Sequence, residues 1–167
     1  MNSTELIKVV TAGELMEEEF PPREELLSPW LRERMSVLAH APTGIGKSWW
    51  VWSVAVAVAS GCSFGPWKSK KPSKVLIIDG EMAPDDLQER LNQLILQMSA
   101  DRHLVAEKLA ICARQHQPPR TNFIDIASSE DRNHILDLID AHEPALVIFD
   151  NLSTLAHVED ENAASSF

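Results

Sequence analysis

The sequence predicts an α/β domain of three layers, a mostly parallel sheet between helices. Three observations carry this. Short apolar runs that read as buried strands alternate with stretches of helical periodicity. Two of the runs, 75–79 and 145–150, close on an aspartate. A third, 35–39, leads into a loop built on Gly44 and Gly46 and followed by an apolar helix.

In chain order, residues 1–34 read as an irregular segment packed on the core, with Pro21-Pro22, acidic runs and a short helix near 24–27. Residues 35–167 read as the domain proper. Met35-Ser36-Val37-Leu38-Ala39 is the first expected strand, short and buried. Residues 48–59 form a helix that is apolar almost all round, so it needs cover on its outer side as well as on the sheet side. Its Trp49, Trp50 and Trp52 are packing residues by default, with base stacking by one of them as the sharper alternative. Gly61 and Phe64-Gly65-Pro66-Trp67 break the chain. Val75-Leu76-Ile77-Ile78-Asp79 is a fully buried strand. Pro84 opens a helix with Asp85 and Asp86 in its first turn, and Leu87, Leu91, Leu94, Ile95 and Met98 follow at helical spacing. Leu109-Ala110-Ile111-Cys112-Ala113 is a second buried strand, and Gln117-Pro118-Pro119-Arg120 is a loop. Ser128 and Asp131 resemble a capping pair for a helix carrying Ile135, Leu136, Leu138 and Ile139. Pro144 stops it, and 145–150 is the last strand.

The loop Ala41-Pro42-Thr43-Gly44-Ile45-Gly46-Lys47-Ser48 fits the phosphate-binding pattern G-x-x-x-x-G-K-[ST], with Ala41 in the first glycine's place. That position needs a small residue more than a positive φ. Gly44 and Gly46 let successive N–H groups converge on phosphate oxygens. The helix behind them turns its positive N-terminus the same way. Lys47 is expected on the outer phosphates, and the Ser48 hydroxyl on Mg²⁺. The expected site therefore runs through Thr43, Gly44, Ile45, Gly46, Lys47, Ser48 and Trp49, with ATP and Mg²⁺ as its occupants.

At 167 residues, 44% hydrophobic and 24% charged, the composition is that of one soluble globular domain. The longest apolar stretch, 49–59, is too short for a bilayer. The first twenty residues show glutamates and no basic, apolar leader. Cys62 and Cys112 lie far apart with no metal-ligand spacing and read as reduced thiols. A cytoplasmic protein without membrane attachment is expected. The net charge of −10 argues against a general nucleic-acid platform. The one basic run, 68–74, reads as a solvated loop, and His40 and His157 as structural or solvated.

ATP hydrolysis needs one carboxylate behind the metal and another to orient or deprotonate water. The strand ends at Asp79 and Asp150 both face the loop, because ligands of parallel sheets bind beyond the carboxyl ends of strands. Asp150 is followed by Asn151, which cannot act as a base. With Asp150 on the metal, Glu81 at the neighbouring strand end is the candidate for water. The opposite assignment, Asp79 on the metal with Glu81 beside it, stays open.

Ala41 to Ser48, Leu-Ile-Ile-Asp-Gly-Glu-Met at 76–82 and Leu-Val-Ile-Phe-Asp-Asn-Leu-Ser-Thr-Leu at 146–155 together resemble the RecA-type P-loop ATPases. The nearer likeness is to plasmid RepA-type hexameric replicative helicases and related phage or mobile-element ATPases, from about Glu14 onward. The resemblance implies a RecA-like domain in which Lys47 and Ser48 contact phosphates and Mg²⁺. It makes Glu81 the catalytic glutamate and Asp150 the acidic residue behind the metal. It also implies a homo-oligomer, hexameric at full length, acting on single-stranded or duplex DNA. In that family a further strand lies between the phosphate-loop strand and the Asp150 strand. The sensing residue, the nucleic-acid loops and the arginine that reaches a neighbour's ATP also come later in sequence. The chain is thus expected to be the N-terminal part of a domain incomplete on its C-terminal side, with slow or no hydrolysis by itself. Two other functions compete with the motor. One is a nucleotide-binding regulatory module without turnover. The other is a small-molecule kinase, disfavoured because Arg114, Arg120 and Arg132 are scattered rather than gathered in a lid.

Overall fold

The computed structural model describes residues 8–156. Its elements run α1 (Ala12–Glu17), β1 (Glu25–Leu27), β2 (Leu31–Arg32), α2 (Lys47–Ser60), β3 (Ser63–Phe64), β4 (Trp67–Lys68), β5 (Val75–Asp79), α3 (Pro84–Gln97), α4 (Arg102–Lys108), β6 (Leu109–Ala113), α5 (Ser129–His142), β7 (Leu146–Asp150) and α6 (Leu152–Leu155). A 3-10 turn, Arg114–His116, follows β6. The main sheet is parallel in the order β6-β5-β7, which is the α/β fold the sequence predicts.

Alternation along the strands divides the core. Val75 and Ile77 of β5, with Leu146 and Ile148 of β7, face a cluster built on α2, α3 and α4. Leu76, Ile78 and Phe149 face the other way, onto Ile135 of α5 and Leu155 of α6. β5 lies between the other two strands and is buried along its whole length. β6 is an edge strand of this sheet, so the expectation of a buried strand at 109–113 is corrected in part: Ala113 is buried and Ile111 is exposed.

The helix α2 is buried from Trp52 to Ser60. Sheet and helices cover it on one side; on the other lie two small antiparallel hairpins, β1-β2 and β3-β4, joined through a bridge between Ser28 and Lys68. Trp30, Trp50, Trp67 and Phe64 meet there, with ring centroids 5.6–6.0 Å apart. Ser53 and Ser60 are tolerated inside because each hydroxyl donates to the carbonyl four residues back, at 2.7 Å. The break after α2 is set by Gly61, whose φ of 73° forms a left-handed cap.

Two expectations in the N-terminal part are overturned. Residues 24–27 are not helical; Leu26 and Leu27 lie in a strand because the hairpin must bury both against α2. Residues 35–39 form no strand and are exposed, with Val37 at 51% and Leu38 at 76%. An apolar run becomes a sheet strand only beside a partner ladder. Among the described residues β7 pairs with β5 alone, and no strand pairs with its other edge. Three helices, α1, α4 and α6, are absent from the sequence reading, although each has a side-chain cap: Thr11 accepts from Glu14 N–H, Asp101 from His103 and Leu104 N–H, and Asn151 from Thr154 N–H. The Pro84 and Ser128 helix starts stand where the sequence places them.

The basic run 68–74 is held by acidic partners. Lys70 pairs with Glu25 at 2.7 Å, Lys71 with Glu24, and Lys74 with Glu143 at 3.5 Å. These lysines stay largely in water, so the pairs stabilise little. Among the described residues no helix is long and apolar enough to cross a membrane. The hairpin's hold on the core is testable through Leu27, which is fully buried. Leu27→Ala should lower the unfolding free energy by about 2–5 kcal/mol, read by urea titration; a peripheral hairpin would leave it almost unchanged.

Candidate functional site

The register of the sheet builds the site. Asp79 stands opposite Asp150 across the β5–β7 ladder, so the two strands end at the same level. Both aspartates continue the face that packs on α2, since 75, 77, 79 and 146, 148, 150 share a side. The first turn of α2 lies over that end, and the Ser48 hydroxyl donates to Asp150 Oδ1 at 3.2 Å. Ser48, Asp79, Glu81, Met82, Arg90 and Asp150 enclose a cavity of about 120 Å³. Of the residues the sequence singles out, Ser48, Glu81 and Asp150 therefore come together, joined by Asp79 of the alternative assignment.

Asp79 Oδ1 accepts from the N–H groups of Glu81 and Met82, at 3.0 and 2.7 Å, and so shapes the turn that carries Glu81. Glu81 itself is exposed, and its Oε2 accepts from Asn151 Nδ2 at 2.9 Å. The other oxygens of the two aspartates, Oδ2 in each case, are buried without a hydrogen-bond partner. Burial pushes the Asp150 carboxyl above the usual aspartate range; the neighbouring Asp79 charge adds to this, and the Ser48 hydroxyl, the Trp52 indole and Arg90 oppose it.

The phosphate loop lies beside the cavity. Gly44 and Gly46 have φ of 86° and 92°, backbone that glycine adopts without strain, and Gly46 caps α2. The Lys47 ammonium donates to the carbonyls of Ala41 and of Pro42, the latter at 3.0 Å. Thr43 and Ile45 are exposed on the loop. Trp49 does not reach the cavity. It lines an adjoining groove with Met82, Asp86, Glu89, Arg90 and Gln93, and the Arg90 guanidinium lies over its ring at 4.8 Å.

Arg90 is a site residue the sequence reading missed. It lines both cavities, and its Nε and Nη1 are buried without partners. Its spacing on α3 offers a weak signal, one turn beyond Asp86 and beside Leu87 and Leu91 on the inward face. Asn151 and Gln115, which both touch Glu81, were not legible at all, because their contacts depend on how three strand ends meet. Of the thiols, Cys62 and Cys112 are both free and part-buried, and burial pushes Cys112 above its ordinary value.

The residues present suit a hard divalent cation. Ser48, Asp79 and Asp150 bring a hydroxyl and two carboxylates, all oxygen donors, to the lining of one cavity. Among the described residues no group of three His, Cys, Asp or Glu side chains is placed to hold a metal unaided. A hard divalent cation can also bind through one or two carboxylates together with a substrate's phosphates.

A family model described as an AAA domain matches residues 2–167. No curated protein and no solved structure matches the chain.

The buried Asp150 has a consequence for stability. With its folded value raised above the unfolded one, the native protein loses stability as pH climbs through that interval and stays lower above it. In metal-free buffer, Asp150→Asn should therefore raise the urea midpoint near neutral pH, and the difference should vanish below the ordinary aspartate range. Urea titrations at the two pH values check this; a lower midpoint for the variant at neutral pH contradicts it.

Proposed function

This chain belongs to the AAA domain family of P-loop NTPases, and we propose that it binds ATP with Mg²⁺ and hydrolyses it. The observation that carries this is the Ser48–Asp150 hydrogen bond beside a glutamate from the neighbouring strand, all on one cavity. The amides of 44–48 and the Lys47 ammonium bind the phosphates, Lys47 exchanging its loop carbonyls for phosphate oxygens. Ser48 and Asp150 would hold Mg²⁺, and Asp79, with one oxygen engaged in the Glu81 turn, supports from behind. A cation held there would supply Lewis-acid stabilisation of negative charge on the phosphate oxygens. Glu81 accepts a proton from the attacking water through the oxygen that Asn151 leaves unengaged. Arg90, fixed by the Trp49 ring, offers a cation to the terminal phosphate from the cavity wall.

The finer reading is a motor of DNA replication or of a mobile element, with its sites between subunits of a ring. Its support is the sequence likeness of 76–82 and 146–155 to the plasmid helicase branch. An acidic chain whose basic run is paired with Glu24, Glu25 and Glu143 makes this portion a poor DNA surface by itself. DNA contacts are therefore assigned to other parts of the assembly.

Calorimetry with ATP and Mg²⁺, followed by phosphate release with and without single-stranded DNA, tests both levels. Lys47→Ala should weaken nucleotide binding by about tenfold or more. Glu81→Gln should keep binding and cut phosphate release by roughly 10²–10⁴-fold. Release stimulated by DNA supports the motor, tight binding without release supports a regulatory switch, and unaltered release in Glu81→Gln contradicts the assignment of Glu81.

A further inference from the structure

We propose that Asn151 is a positioning residue that orients the Glu81 carboxylate, using one end of its amide for the fold and the other for the site. This rests on the reading of Glu81 as the group that engages water.

The main chain around Glu81 is already fixed from both neighbouring strand ends. Gly80 N–H donates to the Asp150 carbonyl at 2.9 Å, and Glu81 N–H donates to Asp79 Oδ1. Gln115, just beyond β6, donates from Nε2 to the Glu81 carbonyl. Gly80 admits no side chain, because a Cβ there would fall 2.3 Å from Thr154 Oγ1. What these contacts leave free is the direction of the carboxylate. An exposed glutamate spreads over several rotamers unless something selects one.

Asn151 does the selecting. Its Oδ1 is committed to the start of α6, where it accepts from Thr154 N–H at 3.1 Å and from Ser153 Oγ at 2.5 Å. An asparagine amide has its acceptor at one end and its two donors at the other. The cap therefore fixes which way the amide points, and Nδ2 faces Glu81 Oε2 at 2.9 Å. Only one carboxylate oxygen is engaged, so the other can accept from water. The same residue that starts α6 thus sets the reach of a side chain from a different strand.

Serine and aspartate both cap helices about as well as asparagine, and neither supplies the Nδ2 donor. Asn151→Ser and Asn151→Asp should therefore retain the thermal midpoint of the wild type. Asn151→Ser should lower kcat for ATP by about tenfold, the loss of one charge-assisted hydrogen bond, with KM changed less than twofold. Asn151→Asp should lower kcat further, since it faces Glu81 with a like charge. Unchanged kcat in both variants would reduce Asn151 to a cap, and raised kcat would mean that it restrains Glu81 from working; either result overturns the proposal. A second readout is independent of turnover. In amide NMR spectra, Glu81→Ala should shift the Asn151 side-chain NH₂ signals and leave those of Gln115, whose acceptor is the Glu81 main chain. Unmoved Asn151 signals refute the contact. If the wild type binds ATP yet releases no phosphate while the Asn151 signals do move, hydrolysis is what fails and the positioning contact stands.

Discussion

Two carboxylates placed side by side at the end of a parallel ladder are the constraint around which this domain is arranged. Asp79 and Asp150 are register partners, both buried, each with one oxygen engaged and one left without a donor. Burying like charges this way costs free energy, which the raised value of Asp150 expresses. The surroundings soften the cost without removing it. Ser48 donates from α2, the turn amides of Glu81 and Met82 donate from below, and the Arg90 charge lies across the cavity. A site so held is poised to gain from a cation and from phosphates, the two things a P-loop NTPase brings together.

The rigidity that holds these groups originates away from the site. α2 carries Ser48 on its first turn, and its remaining length is gripped between the sheet and the aromatic cluster of Trp30, Trp50, Trp67 and Phe64. The β1-β2 hairpin contributes Trp30 to this grip and ties through Ser28 to Lys68. The N-terminal residues thereby reach the chemistry at one remove, by fixing the helix that presents the phosphate loop.

Much of the architecture was readable because its signals are local. The strands at 75–79 and 146–150 are apolar runs rich in β-branched residues that close on an aspartate, and Pro84 and Ser128 mark helix starts by their own chemistry. Hence the meeting of Ser48, Glu81 and Asp150 could be anticipated: strand ends and loop motif imply it. Segment 35–39 misled because apolar character cannot report whether a neighbouring ladder exists. Segment 24–27 misled because its short strand is set by docking on α2 rather than by periodicity. Arg90 and Gln115 carry no motif, and the motif that contains Asn151 does not say what its side chain touches. Their relevance comes from where α3 and the strand ends bring them.

The central claim is that one divalent cation, with nucleotide, sits between the loop and the two strand ends. Mn²⁺ in place of Mg²⁺, added with a non-hydrolysable ATP analogue, makes this visible as paramagnetic broadening of amide signals. The account predicts that signals of residues 44–48, 79–81 and 150–151 disappear first, while those of α5 and the N-terminal hairpin persist. Broadening centred elsewhere, or none at these positions with nucleotide bound, would contradict it.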